Sequence, residues 1–351
     1  MAAPPGPDTV RRVDALEERL AEAAALPDDT SVQLVRTSLS SDGAANLYKR
    51  VELRLPSGDH YVGETVSGRR EGRGSYFFRN GDSYVGEFRA NVFYGVGVLR
   101  KAPFSINGRS CVGREYQGEF RDGLRSGRGT QRSGFGDTYE GNFADDTYHG
   151  RGVMLFANGD MYEGDWERGQ RTGHGRLTHK AGGFYDGGWR FNEFHGEGVL
   201  QSSKRAGGGS YSGSWRAGLK HGIGKIVFST GAEYEGEFVD DMRTGRGVYK
   251  SSLGDLYVGT FLDNVYHGEG TLIRCDGDRY QGQFQRGMPC GTGRYEYESG
   301  GAAKTESQHV APRTATLSLE SLTPPPLFPR YTHNISSCHN VQGITRASTW
   351  Q

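Results

Sequence analysis

Hydrophobic residues are scarce. They make up 34% of the chain, which favours a thin object over a thick globular core. They nowhere gather into the run of about 20 apolar residues that a membrane helix requires. An excess of charge is missing too. The 42 basic residues balance 42 acidic ones, so no net charge drives nucleic-acid or membrane binding. The four cysteines (Cys111, Cys275, Cys290 and Cys338) include no CxxC pair and read as reduced thiols of a cytoplasmic protein. The opening MAAPPGPDTVRRVD lacks an apolar signal core.

Glycine is what the chain has in abundance, 56 residues of 351, about double ordinary usage. The excess is positional. Ten tyrosines (61, 84, 116, 139, 162, 185, 211, 234, 257 and 280) are each followed by glycine two, eleven and thirteen residues on, and each is preceded at three residues by a turn glycine. This frame uses 40 of the 56 glycines. Repetition at a fixed period of this size means a stacked array whose units do not fold alone.

One unit reads as a β-hairpin. In residues 80–99, Asn80-Gly81-Asp82 is turn chemistry. Tyr84, Gly86 and Phe88 then alternate with Val85 and Glu87, as in a strand. Residues 89–94 form a loop, and Gly95, Gly97 and Leu99 share a face of the return strand. The position four after the tyrosine is aromatic in nine repeats of ten, Thr65 being the exception. Tyr162-Gly164-Trp166 and Tyr234-Gly236-Phe238 repeat the set. The glycines are expected to leave room for rings lying flat across neighbouring strands. The opposite face is charged, with Glu64, Glu87, Glu119 and Glu237 on first strands and Arg73, Arg128 and Arg246 on second strands. Opposed pairs of about 0.2–1 kcal/mol each would account for the neutral total.

Units such as DMYEGDWERGQRTGHGRL (160–177) and AEYEGEFVDDMRTGRGVY (232–249) resemble MORN repeats, whose pattern is YxGxW followed by GxG. The resemblance covers residues 58 to about 297. It implies an all-β fold, an elongated single-layer antiparallel sheet of stacked β-hairpins. Twenty strands at about 4.8 Å would extend on the order of 95 Å. It also implies a MORN-only scaffold in a cytoskeletal or membrane-associated complex (flagellum, basal body or cortex) and a homodimer made through the C-terminal repeats.

The expected organisation has three parts. Residues 1–46 hold a short helix, about 8–25, and a linker; 47–298 hold a capping half-repeat (Val51, Leu53) and ten repeats; 299–351, with LTPPPLFPRY, form a disordered tail. Nine extra residues at 101–113 and three at 202–209 should project from an edge.

No catalytic, cofactor or metal constellation emerges, and the chain is read as no enzyme. Gly224-Lys225 fails as a phosphate loop because Leu219 stands where its first glycine belongs and Ile226 where Ser or Thr belongs. His149, His195, His221 and His267 recur before a glycine pair, but equivalent positions lie about 10 Å apart, too far for one zinc ion with bonds of about 2.0–2.1 Å. The flanking segments are each shorter than an ordinary enzyme domain.

The hairpin loops do differ. Repeats 1, 3, 5 and 7 carry basic loops with Arg69, Arg70, Arg121, Arg125, Arg168, Arg171, Arg216 and Lys220. Repeats 2, 4, 6 and 9 carry aromatic ones, such as RANVFY (89–94) and LDNVYH (262–267). The plain reading is a solvated edge. The alternative is a comb of cations meeting phosphoinositides or another anionic membrane surface, each residue adding about 1 kcal/mol.

Overall fold

The computed structural model describes residues 33–39, 48–106 and 109–298. The expected helix at 8–25 and the expected tail lie outside the described residues. What is described is all-β apart from a single 3-10 turn, Lys204–Ala206. It falls into two compact units, one of residues up to 157 with 166–169, the other of 158–165 with 170–298.

In the first unit, apart from two short strands within the insertion, every strand pairs antiparallel with the next, from Lys49–Arg54 and His60–Val66 to Thr138–Ala144 and Thr147–Leu155. Strand Gln33–Leu39, inside the segment read as helix and linker, pairs with Lys49–Arg54. Val51 then lies opposite Gly63 and Leu53 opposite Tyr61. The second unit repeats the scheme from Gln170–Thr178 to Met288–Glu296. Both units are stacked hairpins, as expected.

The tyrosine and its two facing glycines explain how one layer makes a core. Gly63 lies directly opposite Gly74, and the Tyr61 ring lies over both. A Cβ on Gly63 would come within 2.3 Å of the Tyr61 hydroxyl, and one on Gly74 within 2.6 Å of its ring. In all ten repeats the hydroxyl donates to the carbonyl three residues on, at 2.7–3.1 Å. The phenol is thus buried and satisfied together, as a polar group in a core must be. The aromatic four residues on stands edge-on to its own tyrosine and to the preceding one: Phe88 lies 5.2 Å from Tyr84 and 5.3 Å from Tyr61. The indoles of Trp166, Trp189 and Trp215 also donate to Gly152, Gly175 and Gly198 carbonyls at 2.8–3.3 Å. Thr65, the non-aromatic exception, is buried and donates to the Lys49 carbonyl.

Three expectations need correction. The third frame glycine, eleven residues after the tyrosine, does not make room for a ring. It stands at a β-bulge, with φ between 56° and 79° in every repeat, a backbone that disfavours side chains. The facing glutamates do not mainly form cross-strand ion pairs. Carboxylates of Glu64, Glu119 and Glu237 accept the backbone N–H of Arg73, Arg128 and Arg246 at 2.8–2.9 Å, just past the bulge. The six-residue hairpin loops are in fact two-residue turns. Ala90 and Asn91 have φ of 48° and 75°, the doubly left-handed turn whose twist matches that of its strands, so the remaining residues of 89–94 lie in strands.

The insertion at 101–113 carries its own small hairpin, Phe104–Ile106 with Arg109–Cys111. It does not simply project. Phe104 packs against Phe135 of the following turn at 6.3 Å, under the Arg114 guanidinium at 5.1 Å.

Candidate interaction surfaces

Each unit presents two rows of turns: the two-residue turns inside hairpins, and the turns that connect one repeat to the next. The residue nine after the tyrosine is the second of the return strand, and in repeats 1–9 it covers the tyrosine ring. In repeats 2, 4, 6 and 9 that lid is aromatic and lies flat. Tyr84–Phe93, Tyr139–Tyr148, Tyr185–Phe194 and Tyr257–Tyr266 stack at 3.7–4.0 Å with interplanar angles of 11–23°. In repeats 1, 3, 5, 7 and 8 it is a cation. Arg70, Arg125, Arg171, Lys220 and Arg243 place their charge 5.5–5.9 Å from the ring centre of their own tyrosine.

The cationic lids are also tied to the next repeat. The Arg171 N–H donates to Asn192 Oδ1 at 2.8 Å, its guanidinium to the Asn192 carbonyl at 3.1 Å, and the guanidinium carbon sits 4.2 Å from the Trp189 ring centre. Arg70 with Asn91, Arg125 with Asp146, Lys220 with Asp241 and Arg243 with Asn264 repeat the connection. Burial lowers the pKa of Arg171 to about 10 and moves Arg70 and Arg243 the same way. The residue two after the last frame glycine is Tyr76, Leu99, Met154, Leu177 or another apolar or aromatic side chain in every repeat but the third, which has Gln131; Gln131 accepts from the Arg125 guanidinium.

The expected cation comb is therefore halved. Arg70, Arg171 and Lys220 are buried, at 2%, 2% and 4% exposure, and Arg125 is half-buried against Asp146. None of the four can reach a headgroup layer, because each is spent covering a tyrosine. Arg69, Arg121, Arg168 and Arg216 do stand exposed. Of these, Arg121 lies 4.0 Å from Asp122 and Arg216 3.1 Å from Asp240. The basic–aromatic alternation along this edge is an alternation of lids.

The connecting turns hold residues that the sequence reading passed over. An aspartate two residues before the tyrosine occurs in six repeats of ten. One oxygen of Asp59, Asp82, Asp137, Asp160, Asp255 and Asp278 accepts the backbone N–H twenty residues on, in the next turn, at 2.7–3.4 Å. The other oxygen takes a side chain nineteen residues on where one reaches, Lys101 on Asp82 at 2.9 Å and His179 on Asp160 at 3.1 Å. The available signal was a recurrence of Asp beyond what turn chemistry demands. Among the described residues, no three His, Cys, Asp or Glu side chains converge as a metal site would require.

Comparison with known families agrees with the geometry. The family model described as MORN repeat matches nine segments: 61–83, 116–137, 139–161, 162–184, 185–205, 211–233, 234–255, 257–279 and 280–302. The stretch around Tyr84, beside the insertion, is unmatched, yet it folds as the same hairpin with the same Tyr84 to Glu87 hydrogen bond of 2.8 Å. No curated protein matches the sequence. Solved structures with some likeness include the TCP domain of SAS-4 (dCPAP) of Drosophila melanogaster, in complex with a proline-rich motif of Ana2 (dSTIL). It is 16% identical with a TM-score of 0.28, over 45% of this chain and 85% of that one. The TCP10 domain of Danio rerio CPAP, in complex with a peptide of Danio rerio STIL, is 11% identical with a TM-score of 0.33, over 69% of this chain and 94% of that one.

Proposed function

The chain belongs to the MORN repeat family, a non-catalytic repeat type, and we propose that it serves as a scaffold that holds protein partners in a cytoskeletal or membrane-associated assembly of the cytoplasm. One observation carries the reading. Every core tyrosine is buried by its own repeat and its neighbours, from 0% exposure at Tyr61, Tyr84 and Tyr234 to 3% at Tyr280. A core completed within one layer leaves the opposite face and both rows of turns for contacts. The test is localisation of the tagged full chain in its native cell before and after detergent extraction. Retention in the insoluble fraction is expected; complete release would overturn the assembly.

A homodimer is part of the proposal. In repeats 8–10 four of the six residues flanking the hairpin turns are apolar and exposed: Val239 46%, Met242 39%, Leu262 43% and Met288 48%. The places equivalent to Val239 and Leu262 in earlier repeats hold Arg89, Arg121, Arg190 and Arg216, with Val66, Ala144 and Glu167. Covering such a patch favours association. Light scattering of the full chain should report a dimer that Met242→Glu with Leu262→Glu dissociates; a monomeric parent rejects it. The membrane alternative keeps only Arg69, Arg121, Arg168 and Arg216. It requires that phosphoinositide vesicles bind the parent and lose the chain with all four changed to Glu.

A further inference from the structure

The row of aspartates along the connecting turns is interrupted. Gly183, Gly209 and Ala232 occupy the aspartate position in three consecutive repeats. The backbone N–H groups of Ser229 and Ser252, which correspond to that of Lys180, therefore meet no carboxylate twenty residues earlier. Ser202, which corresponds to His179, is 4% exposed, and its Oγ has no hydrogen-bond partner. In the six repeats that keep it (repeat 3 has Arg114 instead), an aspartate from within the chain accepts such a backbone N–H, and Asp82 and Asp160 take a side chain nineteen residues on as well.

The surroundings of the gap are basic. Lys180, Lys204, Arg205 and Lys250 are exposed on or beside these turns. Glu233, the exposed acid next to Ala232, is already paired with Lys225 at 2.8 Å. The insertion that lengthens the turn before Tyr211 is the one that carries Lys204 and Arg205.

We propose that the connecting turns of repeats 6–8 dock an acidic peptide segment of a partner protein, whose carboxylates take the places that Asp160 and Asp255 fill in the flanking turns. The inference rests on the scaffold reading and names the chemistry of one partner. Successive turns lie two strands, about 9.6 Å, apart. Three residues of polyproline II rise about 9.3 Å. A segment with Asp or Glu at every third position therefore presents one carboxylate to each turn. A chain rather than a headgroup layer suits the donors, because they stand in single file and Ser202 lies beneath the surface. Such bonds are charge-assisted, the stronger class.

The test uses the full chain and two fluorescent peptides, (Asp-Pro-Pro)3 and (Asn-Pro-Pro)3, followed by anisotropy at low salt. The Asp peptide is expected to bind, and the Asn peptide to bind at least about tenfold more weakly, the scale of one or two such bonds. Ala232→Asp supplies a carboxylate to Ser252 from within the chain. It should weaken the Asp peptide about tenfold with the melting temperature unchanged or raised. Lys204→Glu with Arg205→Glu should weaken it as well. Equal binding of the two peptides, or full binding by folded Ala232→Asp, overturns the proposal. So does binding of phosphoinositide vesicles but not of the peptide, with loss in Ala232→Asp, which would assign the edge to membranes. If neither peptide binds while the chain stays in the detergent-insoluble fraction, this inference falls and the scaffold reading stands.

Discussion

Repeats 5 and 6 solve one problem in two ways. Tyr162 and Tyr185 lie over identical glycine pairs and make the same hydroxyl contact, at 3.1 and 2.8 Å. Over Tyr185 the lid is a parallel ring, Phe194, at 3.7 Å. Over Tyr162 it is the guanidinium of Arg171, 5.5 Å from the ring centre and 2% exposed. A ring lid needs nothing more, because stacked aromatics carry no unmet hydrogen bond. A buried cation needs acceptors, and Asn192 in the next turn provides them. The second turn residue follows the lid of the preceding repeat. It is Asn or Asp after Arg70, Arg125, Arg171, Lys220 and Arg243, and Gly after Phe93, Tyr148, Phe194 and Tyr266. A cationic lid therefore couples its repeat to the next by side-chain hydrogen bonds, for which a phenyl lid such as Phe93 or Phe194 has no polar group.

If both lids exclude water equally, both classes of tyrosine must resist ionisation together. Burial pushes the hydroxyls of Tyr116 and Tyr234, under cations, and of Tyr84, Tyr185 and Tyr257, under rings, well above the ordinary tyrosine range. Tyr280, whose lid position is Pro289, is pushed up to about 12. These groups bind more protons folded than unfolded above pH about 10, the unfolded value. Their contribution to stability is thus whole below pH 10 and lost as pH climbs toward the folded values. The largest effect expected is a single steep alkaline unfolding, in which tyrosinate absorbance and loss of β-sheet circular dichroism coincide. A separate early phase of tyrosinate formation, with the sheet intact, would show that one class of lid leaks.

Glycine substitutions compare the rigidity of the lids. A Cβ on Gly198 would stand 2.4 Å from the Tyr185 hydroxyl, and one on Gly175 2.3 Å from that of Tyr162. Each alanine must lift its ring, at the 1–3 kcal/mol or so typical of overpacking. Tyr185 lifts against a stacked ring, whereas Arg171 can swing on rotatable bonds. Gly198→Ala is therefore expected to lower stability more than Gly175→Ala, by about 1 kcal/mol, measured by urea unfolding. The reverse order would make the guanidinium the stiffer cover.

The parts of this design legible in the sequence are those that demand a missing or a large side chain. A ring lying flat on two backbones excludes every Cβ, so Gly86 and Gly97 are visible beside Tyr84. Nine aromatics at one position likewise mark the packed face. The cations were harder to read. Arg171 sits between Gln170 and Thr172 and Lys220 beside His221, and such side chains are seldom buried unless paired, so local sequence assigns them to solvent. What identifies them lies a repeat away, at Asn192 and Asp241. Asp59 and its equivalents were hidden similarly, since Asp beside Gly already has a sufficient local explanation as a turn. Relations within one hairpin could be read directly; relations across twenty residues needed the register.

The smallest effect tests the coupling itself. Arg171→Phe alone removes the cation and leaves the Asn192 carbonyl without its guanidinium donor. Asn192→Gly alone keeps a residue suited to φ of 68° but deletes the Oδ1 acceptor at 2.8 Å. Together they convert the fifth repeat to the ring-capped type, with the glycine that follows Phe93 or Phe194. The double variant should therefore be more stable than the sum of the singles predicts, by about 1 kcal/mol, within the range seen for residues in contact. Additivity within about 0.3 kcal/mol would mean that lid and turn vary together without acting on each other. The five cationic repeats would then be coupled to their neighbours by the sheet and its ring contacts, as Phe194 and Trp215 couple the sixth repeat to the seventh at 5.2 Å.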